Sequence, residues 1–363
     1  MSKSDKSKKS PLMEKLLARS TIKDAAVLDQ SKIYDKAEMI PTTIPMMNVA
    51  LSADPDGGVI PGLTTIAGPP KHFKSLFALV MAKAFLDQYP EGILLFYDNE
   101  FGTPKKYFES LDIDPKRILH TPIENIEKLK TDMMVQLEGL DRGDKVFIII
   151  DSIGNVPSIK EIEDALSDKH VADMTRARAL KSLFRMVTPI LTIKDIPLVA
   201  INHTYKEMGL FPKQVMSGGL GAVYSSSTIW FIGREQEKEG TQVTGYNFNI
   251  TIEKSRYVKE KSKIPINVTF DGGINRWSGL LSNAIDFGLI AKVKKGVFQQ
   301  IDENGEFFGE EYSEDEISHS DEIWETVLSK QEFKDYLKST YALGTGDLLA
   351  KEKEMAEIEE VDE

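Results

Sequence analysis

Six apolar runs of five residues each constrain this chain more than any other feature: Leu63–Ala67, Ile93–Tyr97, Val146–Ile150, Leu198–Asn202, Thr228–Ile232 and Phe248–Ile252. Short, nearly continuous apolar runs of this kind are strands buried on both faces, which belong to mostly parallel sheets covered by helices. Helical stretches lie between them, notably Ser75–Gln88 and Met174–Val187. Residues 46–280 are therefore expected to form an α/β core, a mostly parallel twisted sheet flanked by helices.

The ends of the chain read differently. Ser10-Pro11 is a helix start, and Leu12, Leu16 and Leu17 give a short helix one apolar stripe. Such a helix is marginal alone and must pack on this chain or on a neighbour. Residues 1–9 are polar and expected to be disordered. After Gly279, Val297-Phe298 and Phe307-Phe308 flank Asn304-Gly305, a hairpin signal, and helix-like stretches follow around Asp321–Leu328 and Glu332–Tyr341. The expected division is an N-terminal segment 1–45, the core 46–280, a small α+β C-terminal domain 281–346 and an acidic tail 347–363.

Composition excludes several classes. No run of about 18 apolar residues exists, so no membrane span is expected, and no apolar segment follows the N-terminus to make a secretory signal. Cysteine is absent, which removes disulfide scaffolds and thiolate metal sites and favours a cytoplasmic setting. The net charge of −12 argues against coating nucleic acid through overall charge, but leaves room for a local basic surface.

The chemistry concentrates at the ends of the predicted strands. Gly68-Pro-Pro-Lys-His-Phe-Lys-Ser75 follows a strand and opens a helix, as a P-loop does, but Phe73 holds the place of the second glycine. Pro69 and Pro70 have no N–H, so the phosphate cradle must come from Lys71, His72, Phe73, Lys74, Ser75 and Leu76. If position 73 needs a positive φ, phenylalanine there costs about 1–2 kcal/mol. Lys74 would reach the β- and γ-phosphates, and the Ser75 hydroxyl would bind Mg²⁺. Asp151, at the end of Val146–Ile150, places a carboxylate at the binding edge of the sheet and would hold Mg²⁺ through water. Glu100, after Phe96-Tyr-Asp-Asn, is the candidate for orienting or deprotonating a water. His203, after Ile201-Asn202, could sense the γ-phosphate. ATP with Mg²⁺ is the expected cofactor set.

Taken together, these stretches resemble the RecA-type recombinases, and most closely the UvsX recombinases of large tailed phages. The likeness runs from about Ile44 to Leu289. It is carried by Ile44-Pro-Met-Met-Asn-Val-Ala-Leu51, the Gly68–Ser75 loop, Phe96–Gly102, Met174–Arg178, Lys181–Arg185, Ala200–Tyr205, Glu253–Ser262 and Phe270–Ile274. A Lys-Ser-Phe-Lys-Ser type of loop is typical of the UvsX group, so Phe73 fits it, whereas His72 departs from it. The resemblance implies that Glu100 is the catalytic glutamate, that Tyr107 stacks on adenine, and that His203 couples the γ-phosphate to a DNA loop. It implies that Lys254 and Arg256 reach into the ATP site of the next protomer.

The resemblance also implies two DNA-facing loops, about Ile153–Ala172 and Tyr205–Ser227, the second holding Gly218 and Gly219 with Lys206 and Lys213 adding charge. Arg176, Arg178, Lys181 and Arg185 lie on one helical stretch as candidate DNA-binding residues. Arg178, Lys181 and Arg185, spaced i, i+3, i+7, share one face and suit a phosphate track, and the resemblance implies that Arg178 and Arg185 contact DNA phosphate. Phosphate-dominated contacts predict sequence-independent, salt-sensitive binding. The implied activity is ATP-dependent strand exchange by a helical filament on single-stranded DNA, paired with a homologous duplex. The implied partners are a recombination mediator and a single-stranded-DNA-binding protein, in the host cytoplasm if the chain is phage-encoded. Two other readings stay open here: a ring helicase on the same core, and an ATP-gated scaffold with weak catalysis.

Overall fold

The computed structural model describes residues 10–22, 24–31, 33, 38–167, 174–207 and 214–344. Residues 1–9, the 168–172 part of the first loop, Lys213 and the acidic tail 347–363 lie outside them.

In chain order the helices are α1 (Pro11–Arg19), α2 (Pro45–Ser52), α3 (Lys74–Gln88), α4 (Lys105–Ser110), α5 (Ile126–Gly139), α6 (Ile159–Leu166), α7 (Thr175–Ile193), α8 (Gly221–Ser225), α9 (Leu280–Phe287), α10 (Glu314–His319), α11 (Asp321–Ser329) and α12 (Gln331–Tyr341). The strands are β1 (Gly62–Gly68), β2 (Ile93–Asp98), β3 (Ile118–Pro122), β4 (Val146–Asp151), β5 (Pro197–Lys206), β6 (Gln214–Met216), β7 (Thr228–Glu239), β8 (Gln242–Lys254), β9 (Lys263–Thr269), β10 (Gly273–Ile274), β11 (Ile290–Lys294), β12 (Val297–Ile301) and β13 (Phe307–Ser313).

Nine strands run side by side in the order β10-β9-β8-β7-β1-β5-β4-β2-β3. From β7 to β3 the pairing is parallel. Burial follows the sequence: every residue of β1 is buried, as are five of the six in β4. The helices cover both faces, α3 with Phe77, Leu79 and Phe85 on one, α5 and α7 with Leu129, Leu183 and Phe184 on the other.

Several boundaries move from the sequence expectation. The run Phe248–Ile252 is the middle of a long antiparallel strand paired with β7, not a further parallel one. Strand β9 escaped notice because only alternate residues are buried and Pro265 interrupts the pattern. The β3 edge strand is mostly exposed, so it lacks an apolar run. Helix α7 continues through Pro189 to Ile193, beyond the expected end at Val187. The first expected loop contains α6, started by a capping box between Ser158 and Glu161. The second is partly a hairpin, β6 pairing back onto the end of β5, followed by α8.

The small sheet β11-β12-β13 is antiparallel. Its helices bury Trp324, Phe333 and Leu337 in the same apolar cluster as the large sheet. Helix α1 is capped by Ser10, which accepts the Met13 N–H at 3.2 Å. None of its residues is buried, and Leu12 and Leu16 are 64% and 58% exposed.

Candidate active site

Strands β1, β2, β4 and β5 end at one edge of the sheet, and their last residues converge. Strand β1 delivers the chain at Gly68, where a side chain would sit 3.0 Å from the Ile232 carbonyl oxygen. The loop then turns through two left-handed residues, Lys71 (φ 61) and Phe73 (φ 52), before α3 begins at Lys74. The Phe73 ring lies against Phe248, with centroids 4.8 Å apart. His72 Nδ1 is 2.8 Å from the Pro70 carbonyl oxygen, and burial lowers its pKa.

Lys74 is buried and donates to the Pro69 carbonyl at 2.8 Å, so its ammonium is folded over the loop it serves. Burial lowers its pKa, opposed by the charges of Glu100 and Asp151. The Ser75 hydroxyl donates to Asp151 Oδ2 at 2.7 Å, and Thr103 adds a longer bond to the same oxygen at 3.3 Å. Asp151 Oδ1 is buried and has no hydrogen-bond partner. Burial pushes the Asp151 pKa up to about 6; the Ser75 bond opposes this, and the charges of Glu100 and Asp98 add to it. A buried carboxylate with an orphaned oxygen beside a serine hydroxyl fits a hard divalent cation, which would supply the missing positive charge.

Glu100 stands after β2, whose Asp98 pairs in register with Asp151. Asp98 accepts the backbone N–H groups of Glu100 and Phe101 at 3.1 and 2.8 Å and so fixes the turn that carries Glu100. Glu100 Oε1 accepts from Ser152 Oγ at 2.7 Å and Asn155 Nδ2 at 2.9 Å, and it pairs closely with His203 Nε2. The His203 bond is the largest cause of a lowered Glu100 pKa.

A cleft of about 480 Å³ is lined by Lys71, His72, Phe73, Lys74, Ser75, Leu76, Glu100, Tyr107 and His203, all singled out from the sequence. Arg234 and Tyr246 line it too and were not anticipated. The Arg234 guanidinium lies 4.5 Å from the Tyr246 ring centre and donates to the Lys71 carbonyl at 3.1 Å. Arg234 lies on β7 just past the short run used to recognise that strand, so nothing local marked it. A larger cleft of about 720 Å³ lies between β8–β9 and the C-terminal elements. Its lining holds none of the phosphate-loop residues, which line the smaller cleft.

Lys254 and Arg256 are not in this cleft. Lys254 pairs with Ile229 at the start of β7, whereas the phosphate loop leaves β1 beside the later residues of β7. The pair therefore lies toward the opposite end of the strands. Lys254 donates to the Val223 and Tyr224 carbonyls at 2.8 and 3.2 Å; burial and then Arg256 lower its pKa. Arg256 is exposed.

On α7, Arg178, Lys181 and Arg185 are exposed, and among the described residues no carboxylate pairs with them. Arg176 is placed differently: its guanidinium donates to the carbonyls of Val156 at 2.9 Å, Ile153 at 3.0 Å and Gly154. Gly218 and Gly219 have φ of 84 and 77 and pass so close to α7 that a side chain on Gly218 would sit 2.6 Å from Leu180. Lys206 is exposed at the end of β5.

The fold and cleft define a P-loop nucleotide-binding protein built on a mostly parallel sheet. Residues 13–275 match the RecA N-terminal domain family. Residues 277–337 match the family described as Bacteriophage T4, Recombination and repair protein, C-terminal domain. The chain is 45% identical over 356 residues to the recombination and repair protein of Enterobacteria phage T4, covering 97% of this chain and 90% of that one. It is 26% identical over 262 residues to Protein RecA of Streptomyces rimosus, covering 70% and 66% respectively. The chain belongs to the RecA family, on the branch that includes the phage T4 protein. None of these matches favours a ring helicase. Among the described residues, no helix is long and apolar enough to cross a membrane.

Proposed function

We propose that this chain is an ATP-dependent recombinase that forms helical filaments on single-stranded DNA and pairs that strand with a homologous duplex. Proteins of this family are DNA-dependent ATPases that use ATP with Mg²⁺. The observation that carries the reading is the convergence of the Gly68–Ser75 loop, the Ser75–Asp151 pair and the Glu100–His203 pair on one strand edge, beside a helix with exposed cations.

In this reading the backbone from Lys71 to Leu76 and the Lys74 ammonium bind the phosphates, and Tyr107 stacks on adenine. Ser75 and Asp151 hold magnesium, which neutralises charge developing on the phosphates. Glu100 orients and deprotonates the attacking water, and His203 senses the γ-phosphate. Lys254 and Arg256, remote from their own cleft, serve the cleft of a neighbouring protomer. Arg178, Lys181, Arg185, Lys206, Lys213, Gly218 and Gly219 meet the DNA backbone, and Arg176 holds their loops in place. The exposed stripe of α1 docks on a neighbour in a head-to-tail contact. The same reading divides the chain at residues 45, 280 and 346, and assigns a mediator and a single-stranded-DNA-binding protein as partners.

Electron microscopy with single-stranded DNA and a slowly hydrolysed ATP analogue tests this directly. Helical filaments, with strand exchange between homologous DNAs under ATP, are expected. Rings or isolated monomers refute it.

A further inference from the structure

Glu100 is more heavily engaged than a base waiting for water needs to be. Three donors, Ser152 Oγ, Asn155 Nδ2 and His203 Nε2, converge on Oε1 alone. A carboxylate oxygen has two lone pairs, so three donors saturate it and draw charge away from the other oxygen as well. His203 Nε2 also lies 3.2 Å from Asn155 Nδ2 and 3.3 Å from Ser152 Oγ. The asparagine nitrogen only donates, and the ring nitrogen that gives its hydrogen to Glu100 cannot also accept one. Asn155 therefore spends its hydrogen on Glu100.

Asn155 is exposed, yet its position is fixed from both sides. It sits in a turn whose carbonyls at Ile153, Gly154 and Val156 are clamped by Arg176. Gly154 lets this turn lie close against β5: a side chain there would come within 2.5 Å of the His203 ring. Arg176 lies on α7 two residues before Arg178 but off the face that Arg178, Lys181 and Arg185 share, and its remaining nitrogen reaches Ser217 Oγ at 3.4 Å, next to Gly218. A continuous set of contacts thus runs from the two DNA-facing segments through Arg176 to Asn155 and Glu100.

We propose that Asn155 is a positioning residue that holds the Glu100 carboxylate in a weakly basic arrangement, and that DNA on the Ser217–Gly219 segment releases it by shifting the Arg176-clamped turn. This rests on the reading of Glu100 as the hydrolytic base. Releasing Asn155 leaves Oε1 with two donors, restores charge to the carboxylate and lets it take the proton of the attacking water. DNA then acts on the rate of hydrolysis and not on the affinity for ATP.

Steady-state ATP hydrolysis with and without single-stranded DNA tests this in the native chain, in Asn155→Ala and in Asn155→Asp. Aspartate keeps the shape and replaces the donor with a second carboxylate. Both variants are expected to raise DNA-free kcat about tenfold, the factor of one charge-assisted hydrogen bond. KM for ATP and the DNA-stimulated rate stay near native, so the stimulation ratio collapses. An unchanged DNA-free rate in both variants, or a parallel fall of both rates, overturns the proposal. If the native chain itself shows no stimulation by DNA, the broader reading of the site fails with it. If the native chain is stimulated and the variants behave as native does, only the role of Asn155 fails.

Discussion

Replacing Phe73 by glycine restores the ordinary P-loop pattern and sets two effects against each other. The backbone at 73 is left-handed, with φ 52 and ψ 21, so a residue with a β-carbon is strained there. Glycine relieves about 1–2 kcal/mol of that strain. It also removes a ring tilted 42° against Phe248 at 4.8 Å, a pair worth about 0.5–1.5 kcal/mol. Phe73 is half-buried, so roughly another 1 kcal/mol of apolar burial goes with the ring. The freer unfolded chain of a glycine variant adds about 0.5–1 kcal/mol. The losses win: Phe73→Gly is expected to be less stable by about 1–2 kcal/mol. Urea unfolding monitored by circular dichroism should show a lower midpoint at unchanged slope, and in a chain of this size the melting temperature should fall by about 2 °C. Phe73→Leu, which keeps the strain and most of the apolar burial but loses the ring pair, should fall by about 0.5–1.5 kcal/mol. A glycine variant more stable than the native chain would refute this balance and show that strain, not stacking, dominates the loop.

Two further predictions concern charge. Asp151 has a folded pKa near 6 against an ordinary 3.8, so the native state binds the extra proton between those values and stability rises as pH falls through that window. Asp151→Asn should therefore stabilise the metal-free chain at pH 8 by up to about 3 kcal/mol, an advantage that vanishes near pH 4, while hydrolysis is lost; chemical denaturation in chelator at both pH values checks it, and a less stable variant at pH 8 contradicts it. Arg178→Ala and Arg185→Ala should each weaken binding to mixed-sequence single strands uniformly and lower the slope of log K against log salt by about 0.7; an unchanged slope in a fluorescence titration removes that side chain from the phosphate track.

The parts of this molecule that follow from local pattern were legible in the sequence. Buried parallel strands need apolar runs, and all six runs became strands, five of them with parallel neighbours and Phe248–Ile252 in the antiparallel β8. The phosphate loop, Asp151, Glu100 and His203 follow those strands directly, so fixing the strands fixed the edge where they meet. Strand β9 was hidden because its burial alternates and includes Pro265. Arg234 and Tyr246 join the cleft from the long β7–β8 ribbon, a contact set by sheet order and not by neighbours in the chain. Arg176 looked like one more cation on a basic helix, and only the path of residues 153–156 beneath it reveals that its guanidinium is already engaged. Ser152 and Asn155 follow Asp151 closely in sequence, but their bearing on Glu100 depends on two strands lying in register.

The placement of Lys254 and Arg256 toward the far end of the strands from the phosphate loop has an arithmetic consequence. If each cleft is completed by the next protomer, a row of protomers always has one fewer finished cleft than members. Turnover per protomer then climbs with row length and levels off, and short oligonucleotides that seat only a few copies support disproportionately slow hydrolysis. The two ends of the row also differ in kind: one presents a cleft lacking its cations, the other cations lacking a cleft. A chain without both cations could join at only one of those ends as a productive member, and would silence a single junction wherever it was incorporated.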